Sequence, residues 1–248
     1  MAAYLRGVIE VRRGADRYAG GDPGSGIETR HAFSFSGFYE PENVRFGVLM
    51  ACNEERLAPG AGFAEHPHRD TEIVTWVIEG ELEHRDVDRG AGGAGAGGTT
   101  LLRAGDAQRL SAGGGVRHVE RNAGAGPLCF LQMWLQPDVH GGEPQYTVAR
   151  APVPDGPGLR LLASGRSGAP LRLRQKRAAL YVGRPVAADR VPLPDASFLY
   201  VHVVRGGLRV GGERLAAGDA ARISEARGLR AETDGPAEYL VWEMHAAS

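Results

Sequence analysis

The apolar residues of this chain come in short runs, each closed within a few positions by Gly, Pro, Asp or Asn. Phe46–Met50, Ile73–Ile78, Leu128–Leu135, Leu199–Val204 and Tyr239–Trp242 are such runs. They are rich in Val, Ile, Leu and aromatic residues, and several alternate. An amphipathic helix needs apolar residues every three or four positions over a longer span, and such stretches are scarce. With 37 glycines in 248 residues to make turns, the pattern predicts an all-β chain of many short strands, arranged as sandwiches or barrels.

The strands are organised by an internal repeat. Trp-Val-Ile-Glu-Gly-Glu-Leu-Glu-His runs from Trp76 and is followed by Leu-Leu-Arg-Ala-Gly-Asp-Ala-Gln-Arg-Leu-Ser, ending at Ser111. Val-His-Val-Val-Arg-Gly-Gly-Leu-Arg-Val runs from Val201 and is followed by Arg-Leu-Ala-Ala-Gly-Asp-Ala-Ala-Arg-Ile-Ser, ending at Ser224. Both read strand, Gly turn, strand, loop, short strand, Gly-Asp turn, strand, so two copies of one β-barrel unit are predicted. Between them Pro137, Pro144, Pro152, Pro154 and Pro157 interrupt any ladder. The expected division is a first barrel over 1–136, a linker or wrapping segment over 137–160, and a second barrel over 161–248.

Composition narrows the function. The net charge is -1 and the sequence pI about 6.7, so no general nucleic-acid or membrane surface is implied. No run approaches the ~18–20 apolar residues that span a bilayer, and Met1–Gly14 has no signal-peptide core. Cys52 and Cys129 lack metal-type spacing, and a reduced cytoplasmic protein is expected. Gly90–Gly98 holds only Gly and Ala. A phosphate cradle needs a strand before it and a helix after it; neither is predicted, so this is expected to be a flexible hairpin tip.

Two segments carry chemistry. In Gly62-Phe-Ala-Glu-His66-Pro-His68-Arg-Asp-Thr-Glu72 the two histidines are i and i+2, so on a strand they project together. Pro67 between them removes a donor and suits an edge or bulge. In the second segment, which follows Gly113, Gly114 and Gly115, His118 and Glu120 are again i and i+2. On a neighbouring strand this pair would meet His66 and His68. Three imidazoles and one carboxylate form a compact site for a divalent transition ion with positions left open. Glu72 shares the parity of His66 and His68 and is the alternative fourth ligand. It lies roughly 13 Å beyond His68 on a straight strand, at ~3.3 Å per residue, and needs a sharp bend to reach the ion.

These segments resemble the two motifs of the cupin superfamily: His-x-His, three residues, Glu; and Gly-Asp, later Gly-x-x-His-x-x-x-Asn. More specifically, the chain resembles the pirin family. The resemblance is carried by His31-Ala-Phe-Ser-Phe-Ser, Phe46-Gly, Ala58-Pro-Gly-Ala-Gly-Phe63, the whole run from His66 to Asp86, Ser111-Ala-Gly, Arg117-His-Val-Glu120 and Leu131-Gln-Met-Trp-Leu135. It is dense from about Tyr4 to Tyr146 and thin afterwards. It implies a bicupin, two jelly-roll barrels in tandem, with one mononuclear metal in the first. That metal is usually Fe(II), with Cu, Ni, Mn or Zn as alternatives. The family's ligands carry over onto His66, His68, His118 and Glu120.

The resemblance also implies an activity, because pirin-like bacterial proteins are often quercetin 2,3-dioxygenases that open a flavonol ring with O2 and release carbon monoxide. Glu120 would then accept the 3-hydroxyl proton as well as ligate, with Phe63, Trp76 and Met133 as apolar walls. The alternative is an iron-binding regulatory protein that meets a protein partner in a redox-dependent way. A sugar isomerase would instead want Arg69 or Arg117 beside the metal. A roomy cavity onto the ion would favour the enzyme. A monomer is expected. The second copy has only His202 and His245 and no ligand pattern; His202 is expected to pack in an apolar strand. His31, His84 and His140 stand outside the pattern, and His31 and His84 could hydrogen-bond the ligands.

Overall fold

The structure is a computed structural model that describes residues 7–87, 98–166 and 168–246. Each half is a sandwich of one large and one small antiparallel sheet. The first large sheet runs in the order β12 (Gln145–Ala149), β9 (Ala107–Ser111), β6 (Glu72–Glu79), β11 (Leu128–Leu135), β4 (Leu49–Leu57), β3 (Ile27–His31) and β2 (Tyr18–Asp22). The small sheet facing it runs β5 (Gly62–His68), β10 (Val116–Asn122), β7 (Glu81–Asp86) and β8 (Thr99–Arg103). In the second half the large sheet runs β1 (Ile9–Arg12), β20 (Ala220–Ala226), β17 (Ala196–Arg205), β22 (Glu238–Met244), β15 (Ala178–Arg184), β13 (Gly156–Ser164) and β14 (Leu171–Arg172), where only β13–β14 is parallel. Its small partner runs β16 (Asp189–Pro192), β21 (Arg230–Thr233), β18 (Gly207–Val210) and β19 (Glu213–Ala216). The fold is the expected pair of cupin-type barrels. Among the described residues no helix is long and apolar enough to cross a membrane.

The repeat is visible in the backbone. Gly80 and Gly206, with φ of 81° and 75°, turn β6 into β7 and β17 into β18. Gly105 and Gly218, with φ of 85° and 86°, make the two Gly-Asp turns. In each turn the aspartate accepts a backbone N–H three residues back: Arg103 N to Asp106 Oδ2 and Ala216 N to Asp219 Oδ2, both 3.0 Å. Asp106 also accepts Arg150 and Ala151 N, and Asp219 accepts Arg13 and Gly14 N. Burial alone would raise these carboxyls, but the backbone N–H bonds and the arginine hold both below the usual range.

Those Arg-Xaa pairs sit just after two exchanged strands, which cut across the expected division. β1, at the start of the chain, pairs with β20 of the second sandwich, Arg12 opposite Ala220. β12, inside the expected linker, pairs with β9 of the first, Ala149 opposite Ala107. Each sandwich thus takes an edge strand from the segment that leads into the other. The segment 137–160 holds β12 and the start of β13 as well as connecting chain.

The largest apolar core lies between the two large sheets. It joins Val74, Trp76, Leu131, Met133 and Leu135 of the first to Leu180, Val182, Tyr200, Leu240, Trp242 and Met244 of the second. Trp76 Nε1 donates to Glu238 Oε1 across this layer at 2.6 Å. Trp76 and Met133 are therefore not walls of the metal pocket. Both faces of β6 and β11 are buried, and these two side chains lie on the face turned toward the second sandwich. His202 is buried, as expected, but neither ring nitrogen has a hydrogen-bond partner among the described residues. Burial holds it well below its usual range, so it stays neutral.

Candidate metal centre

The interior of the first sandwich has two apolar patches. Ile27, Leu57, Val77, Leu82, Leu102, Leu128 and Phe130 form one, and Ile73, Leu110, Ala112 and Val116 the other. Between them runs a polar belt: Thr75 on β6, His84 on β7, Gln108 on β9, His118 and Glu120 on β10, and Gln132 on β11, all buried. The repeat allows a position-by-position comparison with the second sandwich. Val77 and Val203 each donate to the carbonyl of the Gly-Asp aspartate. Counting from there along paired strands, Thr75, Gln108 and Gln132 correspond to Val201, Ala221 and Val241, and His84 and Glu120 to Val210 and Ala231. The second interior is apolar at every one of these positions. One copy was filled with hydrocarbon and the other with donors and acceptors.

Local structure brings the histidines together. β5 is the edge strand of its sheet, which tolerates Pro67, and His66 stands directly opposite His118. The register slips between His118 and Glu120, so that Glu120 faces Phe63. A bulge of this kind re-aims a side chain and sets Phe63 beside the site, with its ring 6.3 Å from that of His66. β9 reaches β10 through the glycine turn. Gly113 has φ 48°, and a Cβ there would lie 1.9 Å from Gly142 O, so only glycine fits.

Ring nitrogens of His66, His68 and His118 lie within 4.8 Å of one another. His66 Nδ1 donates to Ala64 O at 2.8 Å, which leaves the Nε2 lone pair free. That Nε2 meets His118 Nε2 at 2.9 Å. His68 Nε2 is buried without a partner among the described residues. Burial, and the neighbouring His66, push His68 down to about 4. Burial pushes His118 down to about 3 despite Glu120. Neutral imidazoles at these two positions are the form a metal binds, so this donor set fits a borderline divalent ion.

Glu120 is placed differently from the other three. With His84 and His118 it forms a second potential ligand group, sharing His118 with the first. Its Oε1 accepts Gln108 Nε2 at 2.9 Å and its Oε2 accepts Gln132 Nε2 at 2.8 Å. Burial would raise its carboxyl, but His118, His84 and the amide of Gln132 outweigh that and hold it well below the usual range. His84 Nδ1 lies 3.4 Å from His118 Nδ1 and 3.6 Å from Glu120 Oε1, and its ring stacks on Tyr146 at 4.4 Å.

Glu72 does not enter the site. The chain turns through Asp70 (φ 49°), and Glu72, on the outward face of β6, accepts Arg174 N at 3.0 Å. Parity was counted along a straight strand that the turn interrupts. Arg69 is exposed and lies 3.6 Å from Asp70, and Arg117 pairs with Glu65 at 2.7 Å on the surface. Both side chains are largely exposed and held in ion pairs, which weakens the sugar-isomerase reading. His31 is held by Asn53 at 3.0 Å and stacks on Phe35. The walls that the sequence reading missed are Trp134, packed edge-on against His68 at 4.9 Å, and Tyr146. It also missed Glu55, buried on β4 and hydrogen-bonded by Thr29, whose carboxyl burial pushes up to about 7.

His66 is half-buried, whereas His68 and His118 are 8% and 1% exposed. Cavities of about 580 and 490 Å³ open elsewhere. The first is on the second sandwich near Arg209 and Arg230, and the second is beside Arg17 and Asp219.

The comparisons with known proteins agree with this architecture. Residues 13–135 match the pirin family, and residues 161–244 match the quercetinase C-terminal cupin domain. A Mycobacterium tuberculosis protein named as a candidate quercetin 2,3-dioxygenase is 41% identical, over 98% of this chain and 97% of its own length. The Escherichia coli K12 protein named quercetin 2,3-dioxygenase is 30% identical, over 88% and 91%. A crystal structure of a bacterial pirin from Escherichia coli in complex with nickel(II) superposes with a TM-score of 0.85 at 28% identity, covering 96% of this chain and 99% of that one. With its duplicated cupin sandwiches and its histidine cluster in the first of them, the chain belongs to the pirin family.

Proposed function

We propose that the chain binds one divalent transition ion, favouring Fe(II), through His66, His68, His118 and Glu120, and acts as a flavonol 2,3-dioxygenase that consumes O2 and releases carbon monoxide. The observation that carries this reading is the convergence of three imidazoles beside a buried carboxylate, which among the described residues occurs in one of the two duplicated interiors. The names of the relatives support the substrate class. The ion would supply Lewis acidity toward the flavonol 3-oxygen and redox chemistry toward O2. The chain supplies the rest. A flat aromatic substrate comes in over His66, the more exposed of the three imidazoles, between the rings of Phe63 and Trp134. Glu120 accepts the 3-hydroxyl proton. Its acidity makes it a weak acceptor in the metal-free protein, so this role is tested separately below. The protein works as a monomer.

The second reading is an iron-binding regulatory protein with a protein partner. Close packing over the ligands favours it, because His118 is 1% exposed. Anaerobic loading with iron, copper, nickel or manganese, followed by quercetin turnover with carbon monoxide detection, separates the two. Carbon monoxide released in step with flavonol loss supports the dioxygenase. No turnover with any of the four metals would overturn it in favour of the regulatory reading.

A further inference from the structure

Glu120 is held by two glutamines that come from different strands, Gln108 of β9 and Gln132 of β11, one on each carboxylate oxygen. The two ends of a glutamine amide look alike in shape, so its orientation has to come from its partners. Here the partners settle it. The indole N–H of Trp134 can only donate, and it meets Gln132 Oε1 at 2.9 Å. The other end of Gln132 is therefore the NH2 that faces Glu120. Tyr146 meets Gln108 Oε1 at 2.7 Å; a neutral phenol can donate or accept, so it is the acceptor-only carboxylate of Glu120 that orients Gln108, and Tyr146 therefore donates. Gln108 Nε2 then faces Glu120, with Thr75 Oγ1 within 3.3 Å. The result is a chain of donors closing on one carboxylate from both sides: Trp134 to Gln132 to Glu120, and Tyr146 to Gln108 to Glu120.

We infer that Gln108 and Gln132 are positioning residues for the metal centre, which fix the plane of the Glu120 carboxylate, and that Trp134 and Tyr146 act through them. The inference rests on the ligand reading above. An ionised carboxylate has about four lone-pair directions. One amide bond on each oxygen leaves the others free, and two bonds from opposite sides stop the group from rotating. The same aromatic residues touch the imidazole side of the site, Trp134 against His68 and Tyr146 against His84. Folding does not require this arrangement. The duplicated sandwich builds the same strands with Ala221 and Val241 where the two glutamines stand. Buried amides of this kind carry a desolvation cost that only a satisfied network offsets. Their presence in the histidine-bearing copy alone ties them to the site.

The test uses the full-length, metal-free chain with Co(II) as probe, because the visible d–d absorption of Co(II) reports its ligand geometry. Affinity is read by chelator competition. Gln108→Met and Gln132→Met keep the side-chain volume and remove the amide. Each is expected to weaken Co(II) by about 10–100-fold and to shift the d–d bands. Trp134→Phe keeps the ring against His68 but removes the donor. It is expected to weaken Co(II) less than Gln132→Met does, and to add nothing in the Gln132→Met background, because its effect passes through that residue. Trp134→Phe also serves alone if a glutamine variant fails to fold. Parent affinity and parent spectrum in both glutamine variants, with Co(II) lost in His118→Ala, would overturn the positioning role alone. Full additivity of Trp134→Phe and Gln132→Met would overturn the relay. A parent chain that takes up no Co(II) would overturn the ligand reading, and this inference with it.

Discussion

Replacing Glu55 by Gln tests whether the polar interior of the first sandwich is as dry as its packing implies. Glu55 is 4% exposed and its carboxyl is pushed by burial from 4.5 up to about 7. The folded state therefore holds this proton more tightly than the unfolded chain does. Below about pH 4.5 both states are protonated and the group is neutral to stability. As pH rises toward 7 the unfolded chain ionises first, so stability is lost across that window, and above 7 the loss is complete. The displacement is worth about 3 kcal/mol, at ~1.4 kcal/mol per pH step, and about 2–3 kcal/mol of it falls between pH 5 and pH 8. Gln keeps an acceptor for Thr29 and cannot ionise. Urea unfolding of metal-free parent and Glu55→Gln at both pH values isolates the term, because His68 and His118 titrate in both proteins. The variant is expected to gain about 2–3 kcal/mol on the parent from pH 5 to pH 8. A difference that does not change with pH would mean that Glu55 ionises normally and that the interior around it is not dry.

Trp76→Phe removes the indole donor that reaches Glu238 across the two sandwiches, and should cost about 1–3 kcal/mol in urea unfolding; an unchanged midpoint would show that Arg184, 3.6 Å away, already satisfies Glu238. Glu120→Gln with metal restored should lower flavonol turnover by about 10²–10⁴-fold if Glu120 accepts the proton; turnover at the parent rate would rule that role out. Cutting Gly90–Gly98, of which all but Gly98 lie outside the described residues, to a two-residue turn should leave melting temperature and metal content nearly unchanged; a large loss of metal would show that the loop packs over the site.

The clustering of the candidate ligands was legible because i, i+2 parity on a strand is a strict geometric rule, and two such pairs stood in separate strands. The orientation of β6 and β11 was not. Their patterns are buried on both faces, so alternation says which residues share a side but not which side meets the second sandwich. The sequence alone therefore favours Trp76 and Met133 as pocket residues and gives no reason to choose Trp134 and Gln132. Glu55 did leave a signal. Glu54 and Glu55 are adjacent in a strand, so alternation turns one of them inward. The strand exchange left none, since β1 and β12 are four and five residues long and their partners are distant in sequence. The two glutamines belong to no spacing motif, and only the structure joins them to Glu120.

On the proposed function, one of the two duplicated sandwiches holds an ion and the other does not. Elemental analysis of protein purified anaerobically tests it most directly, with His66→Ala and His118→Ala alongside. One transition-metal equivalent per chain is expected in the parent and close to none in either variant. Full occupancy in both variants, or about two equivalents in the parent, would contradict it.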